Sequence, residues 1–198
     1  MKPKPDIVLD KNVDQNGVAT RKHFARMFQK YSFPLCIMNL TKANNAREET
    51  VASEYRNFVK HSLNKELPDA LKINFLHYDV KSKKKKVKNF PHDLLEHLKT
   101  FLEKTKFFSC FPCVRMPYDP QSKNRKDKRH LCNLQIQRGI IRTNCIDSLD
   151  RTNFGQEMIG YRVALMQLKK LGLSDNEHIN MNSDLFRSIT SMYDEMGD

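Results

Sequence analysis

Arg142-Thr143-Asn144-Cys145-Ile146-Asp147-Ser148-Leu149-Asp150-Arg151-Thr152-Asn153 is the stretch on which the reading of this chain turns. The residues before it, Leu134 to Thr143, include Ile136, Ile140 and Ile141 and read as a strand. Those after it, from about Thr152 to Leu171, carry Met158, Leu165 and Leu168 on one helical side, and Gly172 stops the pattern. Cys145 and Arg151 therefore bracket a loop that begins where a strand ends and finishes where a helix begins.

That position gives the loop its chemistry. A helix N-terminus exposes unpaired N–H groups and partial positive charge, so it favours a phosphate or a thiolate. The backbone amides of Ile146, Ser148 and Leu149 can converge on one centre as an anion nest, bordered by Asn144 and Arg142. Arg151, folded back toward Cys145, would grip two phosphate oxygens in a bidentate fork. Cys145 is then the candidate nucleophile: it attacks phosphorus to give a phosphocysteine that water later hydrolyses. Thr152 can donate its hydroxyl to the sulfur in the second step. Asp147 or Asp150 can protonate the departing oxygen. The scheme calls for no metal and no cofactor. Cys-x5-Arg alone is a weak signal, and a packed cysteine beside a solvated arginine is the plain alternative.

Working outward, the chain alternates between helix and strand patterns. Phe24, Met27, Phe28 and Tyr31 share one helix face, and Pro34 introduces the apolar run Leu35-Cys36-Ile37-Met38, a buried strand. Arg47 to Leu63 reads as a second helix with Val51, Tyr55, Phe58, Val59 and Leu63 inward. Ile73 to Val80 reads as another strand. Pro91 suits the first turn of a helix striped by Leu94, Leu95, Leu98, Phe101 and Leu102. A last helix spans roughly Ser183 to Glu195. The expected fold is an α/β domain: a mostly parallel sheet flanked by helices, with the Cys-x5-Arg loop between strand and helix.

Of the 198 residues, 39% are hydrophobic and 29% charged, a balance able to bury a core. The formal net charge of +12 favours acidic partners such as inositol phosphates or an anionic membrane surface. Two basic tracts, 81–90 and 113–132, read as surface loops. They lack the interleaved aromatics of nucleic-acid binders, so no nucleic acid is expected. No apolar run has the length a bilayer needs, and the first residues do not form a signal peptide; a soluble or peripheral protein is expected. Five cysteines at irregular spacing point to a reducing compartment rather than a disulfide framework. Cys110-Phe111-Pro112-Cys113, with Cys132 or His130, is a poor zinc pattern because half of the ligand set is missing, and packing is the better reading.

The quoted stretch closely resembles the signature of the Sac-domain phosphoinositide phosphatases, Arg-x-Asn-Cys-x-Asp-Cys-Leu-Asp-Arg-Thr-Asn; only Ser148 departs from it. The resemblance extends to His23-Phe24 through Tyr31, Pro34 to Leu40, Tyr78-Asp79, Gln137 to Ile141, and Leu185-Phe186 through Asp198. Gly139-Ile140-Ile141-Arg142 and Leu171-Gly172-Leu173 are similar to the polyphosphoinositide 5-phosphatase branch. That resemblance implies a phosphoinositide headgroup as substrate, with the 5-phosphate of phosphatidylinositol 3,5-bisphosphate as the target. It implies a cytoplasmic protein peripheral on endosomal or vacuolar membranes, with a HEAT-repeat scaffold and a lipid 5-kinase as partners. Cys145, Asp147, Asp150 and Arg151 match the family pattern, so their catalytic roles carry over as expectations. Serine at 148 preserves size but removes any redox or acid role of the family's second cysteine. The family also has a β-rich N-terminal subdomain that nothing before Asp6 can supply, so residues 1–198 are expected to be the catalytic half of a Sac domain. A weakly active Sac-like subunit that binds a scaffold and kinase is the rival expectation.

Overall fold

The computed structural model describes residues 16–110, 134–174 and 180–197, together with Ile7 and Leu9. Its centre is a three-stranded parallel sheet in the order β2-β1-β5, built from β1 (Leu35–Asn39), β2 (Asn74–His77) and β5 (Ile140–Asn144). Every residue of β1 is buried, which is why Leu35 to Met38 form a continuous apolar run with no alternation. The strand lies between two helical layers. Leu35 and Ile37 point into a cluster with Phe24 and Met27 of α1 (Val18–Tyr31) and with Val59, Leu63 and Ile73. Met38 and Leu40 point the other way, against Leu94, Leu95, Leu98 and Leu102 of α5 (Phe90–Thr105) and Met158 of α6 (Asp150–Lys170).

Several boundaries differ from the sequence reading. The second helix is α2 (Ala46–Phe58), which continues through a π-helical turn, Val59–Leu63, and one last turn, α3 (Asn64–Glu66). The expected strand at 134–143 is broken into β4 (Leu134–Gln135), which pairs with β3 (Ser109–Cys110), and β5. Gly139 causes the break. Its φ of 71° turns the chain into the sheet, and a Cβ there would lie 1.7 Å from the Pro34 carbonyl oxygen. Gly155 has a related role: a side chain on α6 at that point would meet Met38 and Leu40, so the glycine lets the helix settle close to β1.

The basic tract expected as a loop at 81–90 is largely a helix, α4 (Val80–Lys86). Asp79 caps it, accepting from the Ser82 N–H at 3.0 Å and the Ser82 hydroxyl at 2.7 Å, and Val80 roots it in the core. Lys83 reaches Asp93 of α5 at 2.9 Å. A cap and one buried anchor outweigh the mutual repulsion of solvated lysines. The second tract, 113–132, and the Cys113, Cys132 and His130 part of the weak zinc pattern lie outside the described residues. The chain closes with α7 (Asp184–Gly197), packed on α6 through Tyr161 and Phe186. No helix among the described residues is long and apolar enough to cross a membrane.

Candidate active site

The topology fixes where a site can form. From β1 the chain moves to β2 on one side, and β5 returns on the other side of β1. The carboxyl ends of β1 and β5 therefore flank a switch point, where an open parallel sheet leaves a crevice. Two loops border it: residues 40–45 after β1, and residues 145–149 after β5.

Cys145 sits at the first position beyond β5, half-buried. Its Sγ accepts the Ser148 N–H at 3.1 Å and the Thr152 hydroxyl at 3.3 Å, and the thiol donates to Asp147 Oδ1 at 3.1 Å. Ser148 adopts a left-handed φ of 56°, which folds the loop back so that its N–H meets the sulfur. Asp147 also accepts the Leu149 N–H at 3.3 Å. Its carboxyl is held below the usual carboxylate range, chiefly by the Cys145 hydrogen bond, then by the Leu149 N–H and the charge of Arg151, which together outweigh its slight burial. Asp150 is the exposed first residue of α6. Thr152 is buried one turn into that helix. Ile146 and Leu149 carry their apolar side chains 40% and 65% exposed on the rim.

Beneath the loop, polar side chains link the strand ends. Arg142 Nη1 donates to Asn144 Oδ1 at 2.9 Å and to the Tyr55 hydroxyl at 3.3 Å. Asn144 donates to Asn39 Oδ1 at 2.7 Å, and Asn39 donates to Thr41 Oγ1 at 2.9 Å. Asn144 and Arg142, expected to border the substrate, are thus tied into the scaffold under the nucleophile's strand.

Arg151 has a partner that the sequence reading did not expect. Its Nη1 donates to Glu48 Oε2 at 2.6 Å and to the Leu40 carbonyl at 3.1 Å. Glu48 is a buried residue in the first turn of α2, and it also accepts the Lys42 N–H at 2.9 Å, with Lys42 Nζ 3.3 Å from its other oxygen. Burial alone would raise the Glu48 carboxyl; the hydrogen bonds from Arg151 and the Lys42 backbone and the Arg151 charge bring it below the usual range. Burial likewise works against the Arg151 cation, but the hydrogen bond and charge of Glu48, then the Cys145 and Asp147 charges, raise its pKa. Sequence reasoning did not single out Glu48. Its one signal is the spacing Asn45-x-x-Glu48, which reads as a capping box. Asn45 does cap α2, accepting from the Arg47 and Glu48 N–H groups, but the Glu48 carboxylate turns to Lys42 and Arg151.

A surface hollow of about 530 Å³ lined by Lys60, Asn64, Lys65, Leu67, Pro68, Asp69 and Lys72 involves none of the loop residues, and its open, lysine-rich wall has no nucleophile. Among the described residues no three His, Cys, Asp or Glu side chains come together in a way that would hold a metal ion.

Comparison with known proteins adds to this geometry. The family model described as SacI homology domain matches residues 1–85, a segment that includes Glu48 and ends before Cys145. Across 241 aligned residues the chain is 32% identical to the phosphoinositide phosphatase SAC4 of Arabidopsis thaliana, with all of this chain and 28% of that protein covered. It is also 32% identical to the polyphosphoinositide phosphatase of Schizosaccharomyces pombe, over 99% of this chain and 22% of that protein. The phosphatidylinositol-3-phosphatase SAC1 of Arabidopsis thaliana is 26% identical over 99% of this chain and 27% of its own length. The chain thus spans about a quarter of the length of the curated relatives it matches.

Proposed function

We propose that the chain, whose residues 1–85 match the SacI homology domain, belongs to that family and carries the site of a phosphoinositide phosphatase working through a phosphocysteine at Cys145. One observation carries the reading: the Cys145 sulfur sits at the junction of β5 and α6, accepting the Ser148 N–H and the Thr152 hydroxyl. Both donors stabilise a developing thiolate, first as nucleophile and later as leaving group.

In the proposed reaction Cys145 Sγ attacks phosphorus and gives its proton to Asp147 Oδ1, 3.1 Å away. Asp147, ordinarily ionised, then returns that proton to the departing inositol oxygen. Water attacks the phosphocysteine, Asp147 takes the proton of that water, and Thr152 supports the sulfur as the S–P bond breaks. The Asp150 carboxylate has no hydrogen-bond partner among the described residues, and in this scheme it steers the substrate rather than transferring a proton. Ile146, Ser148 and Leu149 contribute backbone to the phosphate nest. Arg142 and Asn144 hold that nest from below.

The substrate follows from family resemblance: the inositol ring of a membrane phosphoinositide, with the 5-phosphate of phosphatidylinositol 3,5-bisphosphate as the favoured bond. The names of the relatives support the class and do not choose the ring position. Peripheral attachment at endosomal or vacuolar membranes, a HEAT-repeat scaffold and a lipid 5-kinase belong to the same proposal. The sheet supports the membrane part. The carboxyl ends of β2 and β5 lie at the same end of the parallel sheet, where α4 and α6 begin, so the start of the lysine-rich α4 and the exposed Ile146 and Leu149 lie at the end that carries the thiol. The rival, a weakly active binding subunit, draws support from the Asp147 carboxylate lying against the sulfur. The test is incubation with a panel of short-chain phosphoinositides and identification of the products. Fastest conversion of the 3,5-bisphosphate to the 3-phosphate is expected; conversion to the 5-phosphate would overturn the regiochemistry, and no product from any lipid would favour the rival.

A further inference from the structure

Arg151 is held from one side only. Both of its hydrogen bonds use Nη1, one to Glu48 Oε2 and one to the Leu40 carbonyl. Among the described residues Nε and Nη2 have no hydrogen-bond acceptor. Those two nitrogens form one edge of the guanidinium fork, the edge that binds two oxygens of one phosphate in parallel. Glu48 is itself fixed at four points: the Asn45 cap of its helix, the Lys42 N–H, the Lys42 ammonium and Arg151. It is buried and lies 103 residues from Arg151 along the chain, at the head of a different helix. A carboxylate so constrained can set the direction of a flexible arginine without touching the ligand.

We infer that Glu48 is a positioning residue, which clamps Arg151 by Nη1 so that its Nε–Nη2 edge is presented to a phosphate oxyanion at the Cys145 loop. This rests on the reading of that loop as a phosphate site. Without Glu48 the arginine keeps its charge but loses its direction, and the loss falls on oxyanion binding and on the transition state. With Arg151 gone, Glu48 has nothing left to direct.

The experiment is a double-mutant cycle on the chain as it stands, with wild type, Glu48→Gln, Arg151→Ala and the double variant. Two readouts are taken: equilibrium binding of inorganic orthovanadate, and kcat and KM for phosphate release from a short-chain phosphoinositide. Glu48→Gln is expected to lower vanadate affinity and kcat/KM roughly 10- to 100-fold, the scale of a misplaced charged group. Arg151→Ala lowers both further, and the double variant matches Arg151→Ala alone. Glu48→Gln within about twofold of wild type, or effects that multiply in the double variant, would overturn the inference. If Glu48→Gln does not fold, Glu48→Asp, which keeps the charge but withdraws it by one methylene, must show the same dependence on Arg151. Failure of the phosphatase reading appears separately, as no lipid turnover by wild type. Vanadate binding that depends on Glu48 only through Arg151 then still supports the clamp, whereas wild type that binds no vanadate overturns it.

Discussion

The side chain of Asn144 donates to Asn39 Oδ1 at 2.7 Å across the paired ends of β5 and β1, directly beneath the residue that carries the thiol. Asn39 is fully buried, and its own amide passes the chain on to Thr41. Replacing Asn39 with leucine leaves the half-buried Asn144 amide without its acceptor, while the buried Thr41 hydroxyl loses one donor but keeps its contact with His77 Nε2 at 3.2 Å. The expected cost is about 1–3 kcal/mol, the penalty of one unsatisfied donor. Urea denaturation measures it. If the chain also tunes the loop, activity should fall by more than the loss of folded protein explains.

At Gly139 the prediction is steric. A methyl group would lie 1.7 Å from the Pro34 carbonyl, and the residue already holds a φ of 71°. Gly139→Ala should therefore destabilise by at least about 2 kcal/mol, well beyond an ordinary surface substitution. A melting temperature within a degree of wild type would contradict this account of the entry into β5.

These two asparagines and the glycine mark the limit of what sequence can reveal. The run Leu35 to Met38 of β1 was legible because a strand covered on both faces carries consecutive apolar residues, and Pro91 and the leucine stripe marked α5 equally well. The break at Gly139 was not, because a glycine inside a β-branched stretch reads as a weak strand until its contact with Pro34 is known. Residues 81–88 carried no apolar stripe, so the single anchor Val80 and the Asp79 cap escaped notice and the tract read as a loop. In the site, local spacing grouped Cys145, Asp147, Ser148 and Thr152 around one sulfur. Glu48 stayed hidden because its pairing with Arg151 depends on the β1–β5 neighbourhood, which local sequence does not encode.

Acid should weaken the fold in a way that singles out Glu48. Its folded pKa is lowered, so its contribution is present above the unfolded value of about 4.3 and is lost as pH falls through the folded value. Stability measured by urea titration should decline from about pH 5 downward, and Glu48→Gln should flatten that slope while lowering stability at pH 7. The neutral-pH loss should fall below the roughly 3–5 kcal/mol of a fully buried pair, because Arg151 retains some solvent. An unchanged acid slope in the variant would contradict the assignment.

Thiol labelling separates the cysteines. Cys36 is 2% exposed and burial pushes its thiol up to about 12, so it should resist iodoacetamide at pH 8 in the folded protein. Cys145 should be alkylated, and vanadate should slow its labelling at least about tenfold if the anion sits over the sulfur. Peptide mapping by mass spectrometry reads both. Rapid labelling of Cys36 would mean that β1 is not sealed as described.

Charge reversal on α4 tests the proposed membrane-facing end of the sheet. Lys81, Lys84, Lys85 and Lys86 changed together to glutamate should weaken binding to phosphatidylserine vesicles by about 1 kcal/mol per lysine removed. Lys83 is left in place because it ties α4 to Asp93. Unaltered vesicle binding would move the membrane-facing surface elsewhere.

The central claim is that the Cys145 sulfur performs the chemistry. Phosphate release from short-chain phosphatidylinositol 3,5-bisphosphate by wild type and by Cys145→Ser, at equal folded concentration, tests it most directly. The account predicts steady release by wild type and none above background from the serine variant. Equal release from both would contradict it.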